Sequence, residues 1–215
     1  MWRFTNYNKS LKKNKISKNW LIKRKKDSFF QQSKIYGYRS RSAFKLIEMN
    51  KKFKFLKKNS SLLDLGSSPG GWSQVARKEI KKGKILAADI KSMEKINNVD
   101  FIKGDFLETE IYEKIKGYFN YKTDVVLSDM AVNTSGNKNL DSYKTGELCL
   151  KAMDLAQKIL HYDGVFLSKL FMGSIFIEIN EKANKCFRKV VKYKPLSSRQ
   201  ESKEIYIYCK GISKV

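Results

Sequence analysis

The chain has 215 residues, enough for one well-filled α/β domain and too few for two of ordinary size. Its 45 Lys and Arg against 21 Asp and Glu leave a formal net charge of +24, far more than solubility requires, which points to nucleic acid ahead of an anionic membrane surface. No apolar run reaches the roughly 18 residues of a membrane span, and Cys149, Cys186 and Cys209 show no metal spacing, so the chain reads as intracellular, with reduced and mostly buried thiols, no metal site and no secretion.

In chain order, the first 26 residues contain no Asp or Glu and are rich in Lys, Asn and Ser. Residues 1–18 read as a basic RNA-binding arm or as an organelle transit segment, and 19–215 as the folded domain. Trp20, Phe29 and Phe30 interleave with basic residues, an arrangement that serves base stacking or packing onto the domain. A short helix follows from Ser42 to Met49.

The apolar run Leu62–Leu65 then stops at Gly66-Ser67-Ser68-Pro69-Gly70-Gly71-Trp72, a strand handing over through a glycine-rich turn to a helix over Trp72–Ile80. The spacing Asp64-x-Gly66-x-Ser68-x-Gly70 is not the dinucleotide G-x-G-x-x-G. It is the acid-x-Gly-x-Gly-x-Gly frame of S-adenosylmethionine-dependent methyltransferases with Ser68 at the middle glycine. Lys84–Asp89 predicts a second strand whose terminal acid, about 20 residues past the loop, suits the two hydroxyls of an adenosine ribose. A third strand over Phe101–Phe106 brings Asp105 to its end, suited to an adenine amino group. Three acids spaced one β-α unit apart argue against three unrelated turns.

A helix is expected over Glu108–Ile115, a strand over Asp124–Ser128, a helix from about Lys144 to Leu160 with lone His161 at its end, and a strand over Val165–Leu170. Another helix over Ile175–Phe187 leads to strands Val190–Tyr193 and Ile205–Cys209, which return as an antiparallel hairpin. The fold class is α/β: a Rossmann-like, mainly parallel seven-stranded sheet with one antiparallel strand and helices on both faces. Asp129 ends the fourth strand and Lys169 interrupts an otherwise apolar fifth, where a lysine is costly unless its amine faces a site. Both side chains are expected at the carboxyl edge beside the cofactor.

At these residues the chain resembles the FtsJ/RrmJ family of ribosomal RNA 2′-O-ribose methyltransferases, over almost its whole length from Asn19-Trp20 onward. The resemblance is carried by Tyr38-Arg39-Ser40-Arg41-Ser42-Ala43-Phe44-Lys45-Leu46, by Asp64 to Gln74, by Leu127-Ser128-Asp129-Met130-Ala131, and by Ser197-Ser198-Arg199 leading to Glu204-Ile205-Tyr206. It implies a catalytic set of Lys45, Asp129, Lys169 and Glu204, with Lys169 as the base. It also implies S-adenosylmethionine contacts at Gly70, Trp72, Asp89, Asp105 and Asp129, to which Gly66, Pro69 and Phe106 are added as candidates. Val132 and Thr134 depart from the family's usual Pro and Met in the substrate-side loop.

The Gly70-Gly71-Trp72 form and the short chain resemble the branch that acts on a large-subunit ribosomal RNA uridine, as a monomer in the cytoplasm or mitochondrion. The alternatives are a 2′-O-methyltransferase of transfer RNA or of an mRNA cap, and a noncatalytic ribosome-assembly factor, which would have no reason to keep all four charged residues.

Overall fold

A computed structural model describes residues 27–120, 122–132 and 135–213. The basic arm, Trp20, Asn133 and Thr134 lie outside the described residues. Strands β1 (Leu62–Leu65), β2 (Ile85–Asp89), β3 (Asp100–Lys103), β4 (Thr123–Ser128), β5 (Leu160–Phe171), β6 (Phe187–Tyr193) and β7 (Glu204–Ile212) form one sheet in the order β3-β2-β1-β4-β5-β7-β6. From β3 across to β5 all neighbours are parallel, and β7 runs antiparallel to both β5 and β6. The chain leaves β1 toward β2 and β3, then returns to β4 on the other side. The sheet's reversal point therefore lies between the carboxyl ends of β1 and β4, where open α/β sheets bind their ligands.

Helices cover both faces, and the two-residue period of the strands assigns side chains to one face or the other. Leu62, Val125, Leu127, Val165 and Leu167 pack with α2 (Ser42–Phe53) and α3 (Gly71–Glu79). Leu63, Leu65, Val126 and Phe166 pack with α4 (Thr109–Tyr118), α5 (Lys138–Ile159) and α6 (Phe176–Cys186). Among the described residues, no helix is long and apolar enough to cross a membrane.

Several boundaries differ from expectation. Helix α1 (Ser28–Ile35) carries no apolar period of its own and was not anticipated; Asp27 nucleates it by accepting the Phe30 N–H at 3.1 Å. Phe29 packs on Phe44, ring centroids 5.5 Å apart, so this ring joins the domain. Helix α5 starts six residues before the predicted Lys144, because the Asn137 side chain accepts from the N–H groups of Asn139 and Leu140 and so supports a polar first turn.

The third strand stops at Lys103 and not at Phe106. Asp105 lies in a turn, its carboxylate accepting the Leu107 N–H at 3.0 Å. Strand β5 begins at Leu160, so His161 sits in the strand's first residues, bonded to Asp124 at 2.8 Å. Both closing strands are longer than read, and β7 lies between β5 and β6. All three cysteines are free, Cys149 and Cys209 buried and Cys186 half-buried.

Candidate active site

Where β1 ends, Gly66 adopts φ +71°, and a Cβ there would come within 2.4 Å of Met130 Cγ. The loop thus packs directly against the residue after Asp129, as only glycine allows. The loop is tied to β2 by the N–H groups of Gly66 and Ser67, both donating to Ala88 O. Asp89, at the end of β2, accepts from Ser68 N–H at 2.9 Å and Lys91 N–H at 2.7 Å. These bonds fix the carboxylate's direction.

A cavity of about 440 Å³ opens here, lined by Gly66, Asp89, Asp105, Phe106 and Asp129 together with apolar Ile90, Val132 and Leu148. Its size and its mix of apolar wall with a few acids suit a nucleoside-bearing cofactor. Phe106, Leu148 and Ile90 form its apolar wall, and Asp89 and Asp105 its carboxylates.

Beneath the loop lies Asp64, fully buried. Ser73 Oγ donates to one of its oxygens at 2.6 Å, while the other has no partner among the described residues. Burial, opposed by the Ser73 bond and reinforced by the charges of Asp129 and Asp89, pushes this carboxyl up to about 7.

On the other side of Asp129 the site changes character. Antiparallel register sets Tyr206 opposite Lys169, with Glu204 two residues away on the same face of β7. Ser128 pairs with Ser168, so Asp129 emerges beside Lys169. Helix α2 covers this face and turns buried Lys45 toward the same edge. Lys169 Nζ donates to Asp129 O at 2.6 Å and lies 3.0 Å from Asp129 Oδ1; Lys45 Nζ lies 2.5 Å from Glu204 Oε1. Four charged residues from four remote segments thus form two adjacent ion pairs. Burial pushes the Asp129 carboxyl up, but the charges of Lys169 and Lys45, with bonds from Lys169 and Tyr206, outweigh it and hold the group below its ordinary value.

A family model described as FtsJ-like methyltransferase matches residues 38–212, the span that contains the loop and all four charged residues. The chain belongs to the FtsJ-like methyltransferase family. It is 51% identical over 200 residues to the ribosomal RNA large subunit methyltransferase E of Pelagibacter ubique, covering 93% of this chain and 98% of that relative. It is 40% identical over 205 residues to the enzyme of the same name from Acinetobacter baylyi, covering 94% of this chain and 95% of that one. Among solved structures, a Plasmodium falciparum protein described as a ribosomal RNA methyltransferase superposes with a TM-score of 0.74 at 36% identity, over 81% of this chain and 98% of its own. The sheet is thus the Rossmann-like sheet of methyltransferases.

In this FtsJ-like chain, not every expected cofactor contact lies in the cavity wall. Trp72 is buried in the core, its Nε1–H donating to Ser42 O at 2.9 Å and its ring 5.8 Å from that of Tyr206. It fastens α3 to α2. Pro69 and Gly70 also stand outside the lining: Arg39 Nη1 donates to Pro69 O at 3.2 Å, and a Cβ on Gly70 would meet that same Nη1 at 2.9 Å.

Two residues with clear roles here were not singled out from sequence. Tyr206 OH donates to Asp129 Oδ1 at 2.9 Å. Burial, with the nearby charges of Asp129 and Glu204, pushes the phenol well up, so it stays a donor. Its position two residues from Glu204 on a strand was the available signal. Glu48, one turn beyond Lys45, accepts from Tyr193 OH, Leu196 N–H, Ser197 N–H and Ser197 OH at 2.6–3.1 Å. It bolts the β6–β7 loop to the helix that carries Lys45.

Proposed function

We propose that this protein transfers a methyl group from S-adenosylmethionine to the ribose 2′-oxygen of a uridine in large-subunit ribosomal RNA. The observation that carries this reading is the two adjacent buried ion pairs, Lys169–Asp129 and Lys45–Glu204, set at the rim of a nucleoside-sized cavity whose wall includes Asp129. The relatives named as large-subunit ribosomal RNA methyltransferases support the choice of substrate, as does the charge of +24.

The cofactor, when bound, supplies a methyl on a sulfonium centre that is already activated for displacement. Asp89 and Asp105 would hold its polar groups, Phe106 its ring, and Gly66 would let the main chain approach it. What remains for the protein is alignment and the removal of one proton. Lys169, after releasing its own proton, takes the 2′-hydroxyl proton at Nζ. Asp129 fixes that amine through both its carboxylate and its main-chain oxygen, and Tyr206 fixes Asp129. Lys45 offers positive charge to the oxyanion as it develops, and Glu204 holds Lys45 in place.

The same reading has the protein act as a monomer within the cell, in the cytoplasm or mitochondrion, with residues 1–18 as a basic arm or transit segment ahead of a methyltransferase domain over 19–215. Mapping 2′-O-methyl groups in RNA from cells with and without the protein tests it. Loss of methylation at one large-subunit uridine is expected. Unchanged ribosomal RNA, with a loss in transfer RNA or at an mRNA cap, would move the activity to those substrates.

A further inference from the structure

A second cavity, of about 150 Å³, is lined by Arg41, Lys45, Arg199, Ser202 and Glu204. The cofactor cavity has Asp129 in its wall but neither Lys45 nor Glu204; this one has Lys45 and Glu204 but not Asp129. The two cavities thus meet different members of the charged set.

Its walls are rich in donors. Arg41 Nη1 and the Nε and Nη2 of Arg199 converge on one oxygen of Asp27, the Arg199 contacts both at 3.4 Å, while the other Asp27 oxygen caps α1. Arg41 Nη2 donates to Ser197 O at 2.5 Å. Arg41 Nε and Ser198 Oγ are buried without a partner among the described residues. Three cations thus face two carboxylates, and Lys45 is already taken by Glu204. The surplus positive charge resides on Arg199, whose side chain is 48% exposed and touches Asp27 only at long range.

We propose that this cavity is a phosphodiester site, in which Arg199, held in register by Asp27 and Arg41, grips an RNA phosphate next to the ribose presented to Lys169. The proposal rests on the RNA methyltransferase reading above and adds to it the group that sets which ribose is presented. Every ribose within an RNA strand has a phosphate on either side, so a 2′-oxygen held between the two ion pairs brings one within a nucleotide of Arg199. A guanidinium fork matches two phosphate oxygens, which a lysine cannot do. Such a contact fixes register without reading a base. Asp27, the first acid in the sequence, keeps two guanidinium groups side by side that would otherwise repel. Arg199 and Asp27 are positioning residues in this account.

The test uses the full chain and large ribosomal subunits purified from cells lacking the protein. Arg199→Ala is expected to raise KM for the particle about 10-fold with a much smaller change in kcat. Its binding to single-stranded RNA should show a log–log salt slope shallower by about 0.7, one phosphate contact. Arg199→Lys should recover the slope but only part of the affinity, and Asp27→Asn should raise KM while leaving S-adenosylhomocysteine affinity at the wild-type level. Lys189→Ala, on exposed β6, is the control and should leave KM unchanged. If the wild type methylates the particles and Arg199→Ala keeps its KM and salt slope, the phosphate site is wrong and the activity stands. If the wild type transfers no methyl to them, the functional reading falls and the site with it.

Discussion

The cofactor cavity and the charged edge share a rim at Asp129, yet they are built in opposite ways. Two thirds of the cavity wall comes from one stretch of chain, the ends of β1, β2 and β3 in succession, shaped by main-chain turns and a few acids, and the segment after β4 with Leu148 completes it. The charged edge comes from residues 45, 129, 169 and 204, brought together only by register and helix packing. Two acids show the consequence. Burial raises both Asp64 and Asp129, but no cation reaches Asp64, which rises to about 7, whereas two lysines hold Asp129 below its ordinary value. Both acids are buried, and the partners that long-range topology supplies set the direction in which each shifts.

Substitutions can break this division, and the largest effect is expected on turnover. Lys169→Ala should lower methyl transfer by about 10²- to 10⁴-fold, the usual worth of a positioned base. S-adenosylhomocysteine affinity, read by calorimetry, should stay near wild type, since Lys169 is not in the cavity wall. Asp129→Ala crosses the boundary. It should abolish turnover, weaken the cofactor and cost about 3 kcal/mol of stability in denaturant unfolding, because Lys169 would be left buried without its carboxylate.

Asp89→Ala should weaken cofactor binding by about 1.5–3 kcal/mol through lost charge-assisted bonds, with unchanged kcat at saturating cofactor. If kcat falls as far as in Lys169→Ala, the two regions are not separable.

The smallest effect concerns Asp64. Its folded carboxyl, at about 7, lies above the ordinary 3.8, so the folded state binds the proton more tightly and this group's contribution to stability is full below about pH 4 and lost as pH rises through 7. Asp129, depressed, works in the other direction: its contribution is present at neutral pH and lost as pH falls through its folded value. Asp64→Asn should therefore flatten the decline in melting temperature between about pH 5 and 8. An unaltered decline would mean that Asp64 is not the group responsible.

The same contrast explains what could be read from the sequence. The cavity was legible because its determinants are local: the Asp64–Gly70 spacing, and acids at the ends of successive apolar runs. Asp129 and Lys169 stood out because charge in a buried strand needs a reason. Lys45 and Glu204 came only from the family resemblance, since no local pattern tells a helix or a strand end which partner it will meet. Tyr206 and Glu48 were missed for that reason too, as their roles exist only after β7 lies against β5 and the β6–β7 loop against α2. That the Trp72 side chain packs in the core was not legible, because a motif records that a residue is needed near the loop, not which way its side chain faces. Helix α1 and the first turn of α5 each rest on one capping side chain that hydrophobic periodicity does not register.

The proposed mechanism turns on the removal of the 2′-hydroxyl proton by Lys169. The direct measurement is the pH dependence of single-turnover methyl transfer to large ribosomal subunits by the wild type and by Lys169→Ala, at saturating cofactor. A general base must be free of its own proton to accept another, so the wild-type rate should rise with pH, and the variant should be slow and lack that limb. A variant that retains the wild-type rate, or that is slow but rises with pH as the wild type does, would contradict the claim and place the base elsewhere.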